Sequence, residues 1–225
     1  MKKKKKNKKL NKFCSIFDLK YWFYDFAKIT GAIPTILYFR LKVIKMAKEN
    51  KRFFKGPVIV VANHNTLMDP PIIANLFWYK RLSFLATSQL YRTKFLEWLF
   101  NNFKCIKVDR DDPSIKIIKD SIEVLNRGHS ICIFPEGHVN VNASDGLMAF
   151  HSGASMIALQ TNVPIKVLYL EKRNHWYNRV RVHIGKTINP NDFCSGPIPT
   201  IDDINRLTKC IEEELIKLDN EINNK

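Results

Sequence analysis

The chain has 225 residues, 45% of them hydrophobic, with 37 Lys/Arg against 21 Asp/Glu and a formal net charge of +16. That length holds one α/β domain with a real core, and that apolar content argues against disorder of the whole chain. The five cysteines (Cys14, Cys105, Cys132, Cys194, Cys210) show neither CxxC pairing nor metal-finger spacing, which argues against a disulfide framework and fits a reducing compartment.

The charge is concentrated at the start: residues 1–50 carry a net +11 and residues 51–225 a net +5. A basic arm attracts polyanions, either an anionic membrane surface or nucleic acid. Residues 1–12 read as a lysine-rich tail. "MKKKKKNKKL" has the charge of a signal-peptide n-region, but Asp18, Lys20, Asp25 and Lys28 interrupt the segment after it, so no cleavable h-region is expected. The longest uncharged run nearby, Ile29–Phe39, has 11 residues, against the roughly 20 that a membrane span needs. Residues 13–50 are expected to form two amphipathic helices, broken near Gly31 and Pro34. The first carries Phe13, Phe17, Tyr21, Trp22, Phe23, Tyr24 and Phe26. The second carries Ile36, Leu37, Phe39, Leu41, Val43 and Ile44 among Arg40, Lys42, Lys45 and Lys48. Aromatic and basic residues interleaved in this way suit the headgroup layer of a bilayer; packing of both helices on the body is the alternative.

Residues 51–225 are expected to form the main domain. "PVIVVA" (57–62) reads as a buried strand, Pro70 to about Tyr79 as a helix, "LSFLAT" (82–87) as a strand, and Ser88–Asn102 as a helix capped by Ser88. "CIKV" (105–108) is a short strand, Pro113–Arg127 a helix closed by Gly128, and "SICIF" (130–134) a strand before a polar loop at 136–147. Phe150–Gln160 reads as a helix, "VPIKVLYL" (163–170) as a buried strand, "RVRVHIG" (179–185) as a half-exposed strand, and the tail from Ile201 as an amphipathic helix. This alternation predicts an α/β fold: a mixed, largely parallel sheet flanked by helices.

Three polar constellations follow strands. "NHNTLMDP" (63–70) places His64 just past the strand at 57–62, where α/β sheets bind their ligands. Asp69 precedes Pro70 and is an N-cap candidate. The turn 64–69 stands either for a base with its orienting carboxylate or for a capping aspartate beside an incidental histidine. "IFPEGHVN" (133–140) puts Glu136 and Gly137 at the same sheet edge. A buried carboxylate needs a polar partner, and glycine allows close backbone approach; an ordinary strand-to-loop turn is the alternative. "KCIKVDRDDP" (104–113) puts Lys107 and Arg110 at a third strand end, where arginine grips phosphate, or pairs with Asp109, Asp111 or Asp112. A metal is not required: HExxH is absent, and His129, His138, His151, His175 and His183 are scattered, although His138 and His151 flank one loop. With no GxSxG elbow, Walker A loop or GxGxxG loop, a histidine base implies that the substrate supplies the nucleophile.

HxxxxD, a basic "VDR" and "FPEG", in that order, resemble the blocks of the 1-acylglycerol-3-phosphate acyltransferase (lysophospholipid/glycerophosphate acyltransferase) family. "FHSGASMIA" (150–158) and "VPIKVLYL" extend the resemblance over about residues 55–190. The N-terminal helix pair also resembles the membrane-docking element of bacterial members. The resemblance implies that His64 deprotonates an acceptor hydroxyl and Asp69 orients it, that Arg110 binds the acceptor phosphate with Lys107 beside it, and that Glu136 and Gly137 position the glycerol. The alkoxide then attacks an acyl thioester directly, without an acyl-enzyme. It implies acyl-CoA or acyl-ACP as co-substrate, no cofactor, lysophosphatidate or a related lysophospholipid as acceptor, a membrane lipid surface as partner, and peripheral attachment at the cytoplasmic face. In the third block His138-Val139-Asn140 replaces the family's Thr-Arg-Ser, so Lys107, Lys166 or Arg173 are candidates for the lost arginine. "FPEG-x-VN" also resembles the tafazzin branch, which moves acyl groups between phospholipids and lysophospholipids. A non-catalytic lipid- or nucleic-acid-binding protein is the alternative from a different class; no helix-turn-helix, RRM or KH signature supports nucleic acid.

Overall fold

Valine- and isoleucine-rich segments with no polar face must be covered on both sides, and that condition organises the sheet. The computed structural model describes residues 19–47, 50, 53–109, 115–140, 147–173, 175, 178–196 and 198–223. The strands are β1 (Lys42–Lys45), β2 (Ile59–Ala62), β3 (Leu82–Thr87), β4 (Ile106–Val108), β5 (Ser130–Ile133), β6 (Ile165–Leu170) and β7 (Arg181–Ile188). They form one sheet in the order β1-β7-β6-β2-β5-β3-β4, with every pairing parallel except β6–β7. The helices are α1 (Trp22–Phe39), α2 (Asp69–Leu76), α3 (Lys94–Asn102), α4 (Ile115–Asn126), α5 (Gly153–Thr161) and α6 (Ile201–Asn223). The mixed, mostly parallel sheet flanked by helices is the expected class.

Alternation along the central strands sends side chains to two cores. Ile59 and Val61 of β2, with Ile131 and Ile133 of β5, pack under α4, α5 and α6; Val60, Ala62 and Cys132 face α2 and the end of α1. The amphipathic tail thus becomes α6, with Leu207, Ile211, Leu215 and Leu218 buried. Two local expectations shift. Ser88 opens only a short 3-10 turn, and Thr93 caps α3 instead, its hydroxyl accepting the Leu96 N–H at 3.2 Å.

The expected pair of N-terminal helices is corrected more substantially. Among the described residues there is one helix, α1, running through both Gly31 and Pro34. Tertiary contacts hold it at each end. The Tyr24 hydroxyl donates to Leu82 O (3.1 Å) and accepts the Leu82 N–H (2.9 Å), Arg81 forks onto Asp25, and Val180 N–H reaches Phe39 O at 3.0 Å. Arg40 then adopts a left-handed conformation (φ 48°) and the chain becomes β1, not a second helix. Val43 and Ile44 are β-branched, and the open edge of β7 offers a ladder that helix propensity cannot match. Phe13, Phe17 and the lysine tail lie outside the described residues.

α1 docks by Tyr24, Asp25 and Lys28 and leaves Trp22, Phe26, Ile29, Ile33, Ile36 and Leu37 exposed. At about 100° per residue those six fall within an arc of roughly 100°, a single apolar stripe facing away from the domain. Among the described residues no helix is long and apolar enough to cross a membrane.

Lys166, in the second position of β6, is fully buried. Its ammonium donates to Gly185 O (2.6 Å) and Thr187 Oγ1 (3.2 Å), and burial pulls its pKa from 10.5 down to about 8. The unfolded chain keeps that proton up to about 10.5, so between these two values the unfolded state binds more protons and folding gains stability as pH rises. The rise of Tm with pH over this window is expected to be shallower in Lys166→Met than in the wild type; parallel thermal-denaturation curves would contradict the assignment.

Candidate active site

β2 lies between β5 and β6, so its carboxyl end opens at the middle of the sheet. Asn63 extends the β2–β6 pairing by one step through its side chain: Nδ2 donates to Leu170 O (3.0 Å), and Leu170 N–H donates to Oδ1 (2.8 Å). Asn65 Nδ2 reaches the same carbonyl at 2.7 Å. Two asparagines are thereby tied to β6, and His64 between them is free to present its ring to the other side. That ring stacks on Phe134 at 4.1 Å between centroids.

Asp69 closes the turn. Its Oδ2 lies 2.9 Å from His64 Nδ1 and accepts the N–H groups of Asn65 (2.7 Å) and Thr66 (2.8 Å), while Oδ1 accepts the Thr66 hydroxyl at 3.0 Å. The carboxylate is 3% exposed. Sequence reasoning offered Asp69 as an N-cap; instead it is the first residue of α2, and its side chain turns backwards. Pro70 and Pro71 follow at once and carry no N–H for a cap to satisfy, which leaves both oxygens to the 64–66 backbone. With Nδ1–H donated to Asp69, His64 Nε2 carries the lone pair. Among the described residues no hydroxyl or thiol hydrogen-bonds to it.

Glu136 is 2% exposed and its carboxylate serves the loops themselves. Oε1 accepts the His64 N–H at 3.0 Å; Oε2 accepts Met148 N–H (3.2 Å) and Asn140 Nδ2 (3.4 Å). Asn140 N–H closes the ring of contacts on His64 O at 2.7 Å. Gly137 has φ +69°, a backbone conformation that favours glycine, and a Cβ there would stand a tight 3.2 Å from the His151 ring. Cys132 lies beneath the turn; burial, helped by the Asp69 charge, pushes its thiol well up, so it stays protonated and is no nucleophile.

The remaining sequence candidates disperse. Lys107 sits on edge strand β4 with its ammonium 5.1 Å from the Tyr91 ring centre. Arg110 lies outside the described residues. Lys166 is consumed by β7, about four residues or ~13 Å of strand from the carboxyl end where His64 lies. Arg173 does reach the region, on the wall of a cavity of about 280 Å³ shared with Asn65, Thr66 and Asp69. Among the described residues no group of three or more His, Cys, Asp or Glu could hold a metal ion. Sequence reasoning passed over Asn63, Asn65, Thr66, Phe134 and Asn140. The signal for the first three was available: an unbroken polar triplet around His64, directly after a four-residue apolar strand.

Residues 41–170 match the family model described as Acyltransferase. The chain is 31% identical over 150 residues to a probable 1-acyl-sn-glycerol-3-phosphate acyltransferase of Mycoplasma pneumoniae, covering 62% of this chain and 53% of that one. It is 32% identical over 108 residues to the 1-acyl-sn-glycerol-3-phosphate acyltransferase of Streptococcus pneumoniae, covering 48% and 39%. The chain thus spans about half or less of the length of these curated relatives. In fold it is similar to the crystal structure of the 1-acyl-sn-glycerophosphate acyltransferase PlsC from Thermotoga maritima, with a TM-score of 0.66 and 20% identity over 89% of this chain and 80% of that one.

The three N–H groups converging on Glu136 make it a clamp joining the His64 turn to Asn140 and Met148. Glu136→Gln turns one acceptor into a donor facing an N–H, and is expected to lower stability by about 1–3 kcal/mol, roughly 3–10 °C in Tm. An unchanged Tm with a raised acceptor KM would instead make Glu136 a substrate contact.

Proposed function

Because the chain belongs to the acyltransferase family, we propose that it moves a fatty acyl group from an acyl thioester to the free hydroxyl of lysophosphatidate or a related lysophospholipid. The carrying observation is the His64 ring, held through Nδ1 by Asp69 at the carboxyl end of β2, with no hydroxyl or thiol on Nε2 among the described residues. Nε2 takes the proton of the acceptor hydroxyl as its oxygen attacks the thioester carbonyl. The new C–O bond forms, the C–S bond breaks, and the proton passes from His64 to the departing thiolate. Asp69 stabilises the imidazolium in between. Acyl-CoA and acyl-ACP both satisfy this chemistry. No protein acyl group intervenes, in keeping with the absence, among the described residues, of a hydroxyl or thiol on Nε2.

The reaction takes place at a lipid surface on this reading. The apolar stripe of α1 is the contact face, with peripheral attachment on the cytoplasmic side. Tyr24 and the Asp25–Arg81 pair fix the helix to β3, so the stripe holds a constant orientation toward the domain. Glu136, through its clamp, and Gly137, through its tight backbone, shape the floor on which the glycerol rests.

Transfer from labelled acyl-CoA to lysophosphatidate on anionic vesicles is the direct test. His64→Ala is expected to lose about 10²–10⁴-fold in kcat with unchanged folding; retained turnover would remove His64 as the base. Product formed only from a phospholipid donor would replace the thioester by a transacylation. Exchanging Trp22, Phe26 and Ile29 together for serine should weaken vesicle co-sedimentation by about tenfold or more, since each burial in lipid contributes on the order of 1 kcal/mol or above. Undiminished binding would remove α1 as the membrane face.

A further inference from the structure

We propose that the cavity between the end of α1 and the 64–69 turn is a phosphate pocket for the acceptor lipid, with Arg173 as its specificity-determining residue. The inference rests on the acyl-transfer reading above and adds to it where the acceptor's charged group is held.

The cavity has three walls. The first is the turn that carries the dyad, through Thr66 and Asp69; the second is the end of α1, through Tyr38 and Phe39; the third is the β6–β7 connection, through Arg173. Its volume, about 280 Å³, lies just below the ~300–1,000 Å³ typical of ligand pockets, which suits a headgroup and not a whole lipid. Tyr38 on its wall is exposed, and Phe39, Met68, Ile72 and Val180 give the cavity apolar lining. An occupant would meet both apolar side chains and a cation, the pairing an anionic amphiphile requires.

Arg173 is set in advance. Its guanidinium carbon lies 4.9 Å from the Tyr38 ring centre and 5.5 Å from that of Phe39. Nε donates to His175 O (3.0 Å) and Nη2 to Tyr38 O (3.3 Å). Those bonds use two of the five N–H donors, and the rings fix the plane of the fork. Among the described residues no carboxylate pairs with Arg173. Glu171, on the same wall, is engaged by His183 (2.5 Å) and Arg181 (3.2 Å), and Asp69 by its own turn. The result is a half-buried, oriented cation with no counter-charge among the described residues, in a cavity that shares its wall with the His64–Asp69 turn. A guanidinium fork matches the oxygens of a phosphate monoester, and a dianion best satisfies an otherwise uncompensated cation. Of the three cations that the sequence offered for this task, Lys166 is spent inside the sheet and Lys107 lies against Tyr91 on the far edge. Only Arg173 of these faces a cavity bordering Asp69.

Two phosphates are candidates for the pocket, that of the acceptor and those of a CoA donor; the same experiment separates them. Binding of short-chain lysophosphatidate, short-chain monoacylglycerol and acyl-CoA would be titrated on the full chain for wild type, Arg173→Gln and Arg173→Lys, alongside kcat and KM and a thermal melt. The expected result is a tenfold or greater loss of lysophosphatidate affinity in Arg173→Gln, partly recovered in Arg173→Lys. Monoacylglycerol and acyl-CoA affinities should stay within about threefold, since neither uses the fork. Equal losses for lysophosphatidate and monoacylglycerol would make Arg173 a mere cap on the last carbonyls of α1 and overturn the proposal. A loss confined to acyl-CoA would reassign the pocket to the donor and overturn it as well. Phosphate-dependent, Arg173-dependent binding without any product would uphold the pocket and defeat the acyl-transfer reading, so the two fail separately.

Discussion

Asp69 is the constraint on which the rest of the site depends. One buried carboxylate accepts two backbone N–H groups, one hydroxyl and the His64 ring. Hydrogen bonds to a charged acceptor are stronger than neutral ones, and a carboxylate out of water must find such partners or be lost. The same group therefore folds the turn and fixes the imidazole tautomer. The geometry of the His64–Asp69 pair and the local stability of the turn are one interaction here.

The second support comes from across the sheet. Glu136 sits at the end of β5, neighbour to β2, and reaches back to the His64 N–H. Asn63 and Asn65 reach the other neighbour, β6, at Leu170. His64 is thus held from both flanking strands by side chains that stand in for the ladder bonds its own strand has ceased to make. The parallel order of β6-β2-β5 makes this possible, because it brings three strand ends to one edge.

The N-terminal helix has two unlike faces. Its inner face is polar and specific: the Tyr24 hydroxyl on Leu82, Asp25 on Arg81, Lys28 on backbone carbonyls of 77 and 80. Its outer face is apolar and featureless. Burial pulls the Lys28 ammonium down to about 8, a penalty that the carbonyls and Asp25 offset in part. A helix held to the domain by polar groups keeps its apolar face at a fixed attitude, and its last residues, Tyr38 and Phe39, form a wall of the cavity beside the dyad.

The sequence by itself determined the succession of strands and helices from residue 57 onward, because β-branched runs such as 57–62 and 82–87 admit few alternatives, and it marked His64, Asp69, Glu136 and Gly137, because polar residues directly after such runs fall at strand ends. It misplaced 41–45, since alternating Lys and β-branched residues satisfy either a helix face or an edge strand, and only the unpaired backbone of β7 chooses between them. It left Asp69 open between a cap and a partner of His64, since both readings use the same short segment and only the placement of the 64–66 backbone separates them. It could not rank Lys107, Lys166 and Arg173, since charge alone carries no position. Tertiary structure decided these, for one physical reason: each depends on which backbone groups and rings from distant segments arrive within hydrogen-bond or van der Waals reach, and that is set by packing, not by spacing along the chain.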